Sequence, residues 1–220
     1  MAGAVAIQGC QHSLADRSLD ARWYNAAMRL YECTFPGSSQ VSTVEMLRTW
    51  LSGKRDVWYT LLDGNFAGFA VTLPLPLTGN VLLEYMAVEP NLRNRGIGGG
   101  LVEALKAACL EDGVGRMLVE CRHPLYGEDE GDSGMAARRL GFYGRHGACP
   151  IPFYPLHRCP EVPAARTVTR ILLQIPLAGS DEPSPGELAL DLLEVMELRY
   201  MGLDTYFTAA SATPGEPGPA

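Results

Sequence analysis

A run of arginines and glycines at residues 93–100 (Arg-Asn-Arg-Gly-Ile-Gly-Gly-Gly) has the residue types and spacing best suited to binding chemistry. Glycines let backbone N–H groups approach a ligand closely, and a helix that begins among them favours an anion. Arg93 and Arg95 add positive charge suited to a pyrophosphate. The dinucleotide pattern fails because Leu101 stands at the sixth position from Gly96, and no Gly-Lys-Ser/Thr triplet is present. The run therefore predicts an anion site, or else a glycine-rich turn with solvated arginines.

The elements around this run follow from hydrophobic spacing. Residues 81–88 are nearly continuously apolar, as in a strand buried on both faces, and residues 98–112 carry an apolar stripe at helical spacing. Asp63-Gly64-Asn65 predicts a hairpin between strands at 56–62 and 66–73. Further strands are predicted at 4–7, 117–121 and 168–175, helices at 19–35, 42–51, 134–147 and 188–201, and a proline-rich loop at 150–163.

The composition is that of one globular domain. The chain has 220 residues, of which 47% are hydrophobic and 20% are charged. A net charge of −7 argues against a general nucleic-acid binder and weakly favours cationic or amine substrates. We expect one domain over residues 1–178, a loop and helix packed on it over 179–207, and a disordered tail over 208–220, which is rich in Pro, Gly and Ala.

The cysteines and the absence of targeting segments favour a cytoplasmic protein. Six cysteines are scattered without metal-ligand spacing, a pattern typical of reduced thiols, and we expect no metal. No secretory signal is recognisable, and no apolar run reaches the ~18 residues that a membrane span requires. We therefore expect neither a membrane nor a nucleic-acid partner.

Two motifs resemble those of a known family. Residues 86–88 followed by residues 93–98 resemble the acyl-CoA signature of the GNAT acetyltransferase superfamily, Arg/Gln-x-x-Gly-x-Gly/Ala, and residues 140–148 resemble its segment ending in Leu-Tyr-x-x-x-Gly-Phe. The resemblance covers roughly residues 4–175. It implies an α/β (α+β-like) fold with a mixed, mostly antiparallel central sheet flanked by helices. The C-terminal helix is an addition to that core.

The resemblance also implies roles for individual residues. The backbone of Met86 and Val88 would pair with the pantetheine arm of acetyl-CoA as an extra strand. Tyr143 matches the family position that protonates or hydrogen-bonds the leaving thiolate. An asparagine often precedes that tyrosine in the family but is missing here, and Arg138 or Arg139 could substitute. The residues expected to contact CoA are Met86, Ala87, Val88, Arg93, Asn94, Arg95, Gly96, Ile97, Gly98, Gly99, Gly100, Arg139 and Tyr143.

Two carboxylates are candidates for the general base that amine acetylation needs. Glu84 lies in the signature strand, with Leu82 and Met86 on the same face. Its structural alternative is an ion pair with an arginine such as Arg122 or Arg170. Glu120, on the next strand, could face the same cleft where the two strands separate, as base or substrate anchor, although structural pairing is the more common role.

Other polar residues are weaker candidates. His123 could relay protons, and the acidic run at 128–132 could attract a cation, although such residues are more often solvated. Tyr154 and His157 would line the acceptor site if the proline-rich loop lies at its mouth.

We therefore predict an enzyme that transfers an acetyl group from acetyl-CoA, its acyl-donor substrate, directly to a primary amine of a small molecule in a ternary complex. The alternatives are a non-catalytic acyl-CoA sensor, or an acyltransferase that uses a protein N-terminus or another acyl-CoA. The presence of both Glu84 and Tyr143 favours an enzyme over a sensor. The sequence leaves open a homodimer and the role of the C-terminal helix, which could pack on the sheet, cover the acceptor site or pair two protomers.

Overall fold

The computed structural model describes residues 21–35, 48, 50, 53–124, 130–151, 156–160, 167–177 and 181–200. The helices are α1 (Ala21–Thr34), α2 (Ile97–Glu111), α3 (Glu130–Arg145) and α4 (Pro185–Tyr200), with a 3-10 turn at Pro90–Leu92. The strands are β1 (Asp56–Leu62), β2 (Asn65–Leu75), β3 (Asn80–Val88), β4 (Arg116–Arg122), β5 (Cys149–Pro150), β6 (Leu156–Pro160) and β7 (Thr167–Pro176). No helix among these residues is long and apolar enough to cross a bilayer.

All seven strands form one sheet, in the order β1-β2-β3-β4-β7-β5, with β6 also paired to β7. The β3–β4 pair is parallel and the other pairs are antiparallel. The predicted fold class, a mixed and mostly antiparallel sheet flanked by helices, is therefore confirmed. The predicted hairpin is also confirmed, because Asp63 (φ 50°) and Gly64 (φ 75°) both take the left-handed conformation of a tight two-residue turn between β1 and β2.

Helices cover both faces of the sheet. Leu101 and Leu105 of α2 and Tyr143 of α3 pack with Val81 and Leu83 on one face. On the opposite face, α1 packs on the half of the sheet that holds Phe69, Val71 and Tyr85. The apolar side of α4 covers the other half of that face, with Leu188, Val195 and Met196 against Leu82, Leu118 and Leu172.

Two buried acidic residues fix α4 to the sheet. The Asp191 carboxylate accepts hydrogen bonds from Asn80 Nδ2 (2.6 Å) and Arg116 Nη2 (2.9 Å). Glu194 accepts bonds from the backbone N–H groups of Leu77 (2.7 Å) and Thr78 (3.1 Å) in the turn before β3. The C-terminal helix is thus packed on the sheet, the first of the three positions that the sequence left open.

Part of the predicted proline-rich loop is strand. β5 and β6 both lie inside residues 150–163 or at their edge, and each pairs with β7. Pro150 and Pro160 are the last residues of these strands, where a missing N–H disturbs the ladder least. The predicted strand at 4–7 and the tail lie outside the described residues, as does the predicted helix at 42–51 except for residues 48 and 50, which are helical.

Candidate active site

An opening between β3 and β4 defines the centre of the site. The two strands pair only from Val81 opposite Met117 to Leu83 opposite Val119. Within the described residues, the rest of β3 pairs with β2 alone, so its other edge is open. The Glu89 N–H donates to Ala67 of β2 (2.9 Å), and successive N–H groups along a strand alternate in direction. The Val88 N–H therefore points towards the open edge.

A β-bulge places Glu84 at this opening. Tyr85 pairs with Val71 and Leu83 pairs with Thr72, so Glu84 is the extra residue on β3. The bulge reverses the alternation of side chains: Leu82 packs under α4, whereas Met86 packs with the α2–α3 face. The expectation that Leu82, Glu84 and Met86 share one face was wrong, because it assumed a regular strand.

The glycine run forms the turn from β3 into α2. Asn94 (φ 61°) and Gly96 (φ 81°) take left-handed conformations, and Gly96 is the N-cap of the helix. The Gly100 N–H donates to Gly96 O (2.9 Å) and closes the first helical turn. The N–H groups of Ile97, Gly98 and Gly99 precede that bond and have no carbonyl within the helix to bind. They form the positive end of the helix dipole.

A cavity of about 800 Å³ lies against these residues. Its lining consists of Met86, Val88, Leu92, Arg93, Asn94, Gly96, Ile97, Gly98, Gly99, Gly100, Arg139, Phe142, Arg145 and His146. A Cβ on Gly99 would lie 3.1 Å from the His146 ring, so helix packing accounts for that glycine. A Cβ on Gly98 would meet Phe142 and Val88 only at 3.6 Å, an ordinary contact. Internal packing therefore does not require glycine at position 98, and its absent side chain leaves the cavity open.

A second cavity, of about 150 Å³, holds all three predicted catalytic residues, Glu84, Glu120 and Tyr143. Met86 and Arg139 line both cavities, so the two adjoin at the open edge of β3. The small cavity reaches across the sheet: Tyr143 belongs to the α2–α3 face, whereas Tyr85 belongs to the face covered by α1 and α4.

Glu84 forms a two-point ion pair with Arg55, which immediately precedes β1. Arg55 Nε donates to Oε2 (2.6 Å) and Nη2 donates to Oε1 (3.1 Å). Only 4% of the Glu84 side chain is exposed. Each carboxylate oxygen has a second lone pair, so the pair fixes the orientation of the carboxylate without using all its acceptor capacity. The partner is Arg55 rather than Arg122 or Arg170, the pairings considered from the sequence.

Glu120 lies between two other arginines. Arg170 Nε is 3.6 Å and Arg199 Nε is 3.4 Å from its Oε2 atom, and its side chain is fully buried. Arg170 comes from β7, whereas Arg199 comes from α4, and its guanidinium also lies 5.4 Å from the centre of the Tyr85 ring. The C-terminal helix thus contributes a side chain to the small cavity.

Tyr143 and Cys121 are neutral in this environment. Burial raises the pKa of Tyr143 well above its ordinary value, and the nearby Cys121 raises it further. A phenol of this kind keeps its proton at neutral pH and can only donate it. Burial likewise raises the pKa of Cys121 to about 12, so this thiol is not a nucleophile.

Comparison with known proteins agrees with this geometry. Residues 24–127 match the model of the acetyltransferase (GNAT) family. Part of the chain thus matches the GNAT acetyltransferases, and this match supports the predicted acyltransferase class. No curated protein sequence matches the chain.

Solved structures share the GNAT fold at low sequence identity. A protein from Bacteroides thetaiotaomicron assigned to the GNAT family has a TM-score of 0.67 at 20% identity, covering 88% of this chain and 98% of its own. An aminoglycoside 6'-N-acetyltransferase complexed with coenzyme A has a TM-score of 0.58 at 16% identity, covering 77% and 97%. The ribosomal-protein-S18-alanine N-acetyltransferase from Escherichia coli has a TM-score of 0.54 at 20% identity, covering 76% and 95%.

Some predicted site residues lie elsewhere in the structure. The Ala87 side chain packs against α1, and Arg95 lines a separate depression beside Asp63 and Glu89. His123 follows β4 but does not line either cavity. Tyr154 lies outside the described residues, as do the side chain of His157 and those of the acidic run at 128–132.

Arg55, Arg145 and Arg199 are charged site residues that the sequence did not single out. Arg55 stands in a short polar segment that resembles any surface turn, and Arg199 is one charge near the end of an amphipathic helix. Their roles arise from contacts with residues distant in sequence. The only available signal was the presence of two carboxylates in strands, each of which needs a cationic partner when buried.

Proposed function

We propose that the protein transfers an acetyl group from acetyl-CoA to a primary amine of a small molecule, by direct attack in a ternary complex. The observation that carries the proposal is the meeting of the two cavities at the open edge of β3. The larger cavity adjoins the glycine turn, and the smaller contains Glu84 and Tyr143. A donor held along the first cavity would present its reactive end to an acceptor in the second.

The residues present fit the donor. The N–H groups at the start of α2 favour a pyrophosphate, and Arg93, Arg139 and Arg145 line the same cavity. The open edge of Met86 and Val88 offers backbone groups to the amides of a pantetheine arm, which would lie there as an added strand. Acetyl-CoA supplies the activated acyl group when it is bound. The Val88 N–H, which points towards this edge, would polarise the carbonyl oxygen of the bound donor.

Glu84 is the proposed proton acceptor. An alkyl ammonium with pKa about 10.4 needs roughly 4.6 kcal/mol to lose its proton at pH 7, so a positioned base or water chain is required. The lone pairs of Glu84 that Arg55 does not use can take this proton directly or through water. Glu120 is less suited to the role because it is fully buried between two arginines.

Tyr143 is the proposed proton donor. As the amine nitrogen bonds to the carbonyl carbon and the C–S bond breaks, the Tyr143 phenol would give its proton to the departing sulfur. The nitrogen loses a proton on becoming an amide, and that proton would restore the phenol directly or through water. Its raised pKa ensures that the proton is present at neutral pH. General acid catalysis of this kind typically contributes about 10²–10⁴-fold to the rate.

The test is thiol release from acetyl-CoA against a panel of primary amines, with mass spectrometry of the acylated products. We expect thiol release that depends on the amine and is stoichiometric with the amide product. A protein that binds CoA but releases no thiol above background with any amine would instead be an acyl-CoA sensor. Product formation with peptide N-termini but not with small amines would move the acceptor class to proteins.

A further inference from the structure

His146, at the end of α3, is held with one edge of its ring against the larger cavity. Its Nδ1 atom lies 2.8 Å from Oε1 of Glu103 on α2. Because a carboxylate accepts hydrogen bonds and has none to donate, Nδ1 carries the proton. The ring also packs against Phe142, with 4.9 Å between the two ring centres. Contacts from two helices thus fix the orientation of the imidazole.

The Glu103 carboxylate is the anchor of this arrangement. The hydrogen bond from His146 lowers the pKa of the Glu103 carboxyl, and a hydrogen bond from Lys106 also lowers it. Lys106 Nζ lies 3.0 Å from Oε2 of Glu103 and donates to the backbone carbonyl of His146 (3.3 Å). Glu103 is therefore ionised throughout the range in which an imidazole titrates, and it keeps the Nδ1 proton directed at itself.

The other ring nitrogen, Nε2, faces the glycine turn. A Cβ on Gly99 would lie 3.1 Å from both Nε2 and Cε1, so the missing side chain of Gly99 makes room for this edge of the ring. Both residues line the cavity of about 800 Å³. Nε2 has no hydrogen-bond partner among the residues that the structure describes. A polar atom of fixed orientation is thus available to a ligand beside the N–H groups of the turn.

We infer that His146 binds a phosphate oxygen of the acyl donor through Nε2, and that it does so in the protonated form. This inference rests on the proposed function, because it names a further donor-binding residue in the same cavity. A neutral ring with its proton on Nδ1 offers Nε2 only as an acceptor, and an ionised phosphate is an acceptor too. The protonated ring donates from both nitrogens, to Glu103 and to the phosphate. Donor affinity should therefore fall as the pH rises through the range in which imidazoles titrate.

The charges around the ring give the direction of proton movement on binding. The charged side chains that contact His146 or share its cavity, among the described residues, are Glu103 and Lys106 of α2, Arg139 and Arg145 of α3, and Arg93 of the turn before α2. The carboxylate favours the protonated ring, and the four cations oppose it. A bound phosphate offsets the cations and offers Nε2 an acceptor, so it favours protonation. Binding should therefore take up a proton near neutral pH.

The experiment measures binding of dephospho-CoA by isothermal titration calorimetry between about pH 5.5 and pH 8.5. This probe has the pyrophosphate but lacks the 3′-phosphate of CoA, so its own phosphate charge is constant over the range. With the wild-type protein we expect the Kd to rise about tenfold across the range, the effect of losing one charged hydrogen bond. Titrations in two buffers of different ionisation enthalpy should show proton uptake near pH 7. CoA is titrated in parallel, and an effect of His146 seen with CoA alone would assign the contact to the 3′-phosphate.

Three variants isolate the contribution of the ring. His146→Gln should abolish the proton uptake and the pH dependence, raising the Kd about tenfold at the acid end of the range and little at the alkaline end. Glu103→Gln keeps the imidazole but removes the charge that favours its protonation, so the pH dependence should move to lower pH. The matched control His123→Gln removes a histidine that lines neither cavity and should change neither property. Thermal unfolding checks that each variant is folded.

The shape of the pH profile separates ligand binding from a packing role. If His146→Gln raises the Kd by the same factor at every pH, the ring serves only to pack α3 on α2, and the inference is overturned. Proton uptake that persists in His146→Gln would also overturn it, and in both cases the proposed transferase would stand. Binding that depends on His146 in this way, without thiol release with any amine, would refute the proposed function but not the phosphate contact.

Discussion

Replacing Gly98 with tryptophan tests the glycine turn directly. The Cα of Gly98 lies at the start of α2, and a side chain there would extend past Phe142 and Val88 into the cavity of about 800 Å³. It would displace any ligand held by the N–H groups of Ile97, Gly98 and Gly99. An anion at a helix N-terminus gains about 0.3–1 kcal/mol when exposed and up to about 2 kcal/mol when partly buried. Loss of the upper value corresponds to a Kd for CoA that is about 30-fold higher.

Two control variants separate this effect from disturbance of the fold. In Gly98→Ala the new Cβ would lie 3.6 Å from its neighbours, an ordinary contact, so we expect CoA affinity to change by less than about threefold. Gly144→Trp adds the same bulky side chain to the exposed surface of α3, where nothing lies within 4 Å of the added Cβ. It should leave CoA binding unchanged. Isothermal titration calorimetry gives the Kd, and thermal unfolding checks that each variant is folded.

The reasoning would be refuted by a folded Gly98→Trp protein that binds CoA as tightly as the wild type. Equal weakening by Gly144→Trp would also refute it, because the effect would then not depend on the cavity. Failure of both glycine variants to fold would leave Gly98→Ala as the informative variant, since a large loss of affinity from one methyl group contradicts the open space seen at this position.

The remaining predictions concern catalysis, stability and thiol chemistry. Tyr143→Phe should lower kcat about 10²-fold or more without changing the Kd for CoA, and an unchanged kcat would exclude the proposed proton donor. Because burial raises the pKa of Tyr143, the wild-type rate should show no loss from ionisation of this phenol below about pH 10. Glu84→Gln should likewise lower kcat about 10²-fold with CoA affinity retained, whereas a loss of folding alone, seen as a lower melting temperature with normal kcat, would assign Glu84 a structural role. Asp191→Asn should lower the free energy of unfolding in urea by about 3–5 kcal/mol, because it leaves the Arg116 charge buried without its partner. The exposed control Asp181→Asn should change this free energy by less than about 0.5 kcal/mol. Equal effects of the two substitutions would contradict the anchoring of α4. Iodoacetamide at pH 8 should label the exposed Cys33 and Cys149 in the native protein and spare Cys109 and Cys121. Burial raises the pKa of Cys109 to about 11 and that of Cys121 to about 12, so their thiolates are scarce at pH 8 and labelling should increase as the pH rises. Peptide mapping that shows equal labelling of these four cysteines would contradict the burial.

Short-range sequence patterns correctly predicted the tight turn after β1 and the start of α2. The Asp63-Gly64 turn follows from the preference of these residues for left-handed conformations, and α2 begins within the glycine run because the apolar stripe starts there. The boundaries of β4 and β7 are within a residue of those predicted. β5 and β6 were missed because pairing with β7, rather than local composition, makes these proline-flanked segments strands.

The regular alternation of side chains along β3 did not predict the orientation of Glu84, the proposed base. A strand of nine residues with almost continuous apolar character contains no local sign that Glu84 is the extra residue of a bulge. The bulge depends on the register with β2, so it can be recognised only when both strands are present. The same limit applies to Arg55, whose partner Glu84 is 29 positions away.

The sequence by itself determined the glycine turn, the two motifs and hence the resemblance to the family, because these depend on residue types at short, fixed spacings. It also named Glu84, Glu120 and Tyr143, but not how they meet. Only the tertiary structure decided that β3 and β4 separate after three paired positions, that one cavity contains all three side chains, and that α4 brings Arg199 to Glu120. These features arise from strand register and from the docking of a helix distant in sequence, and contacts of that kind leave no periodic pattern in a single chain.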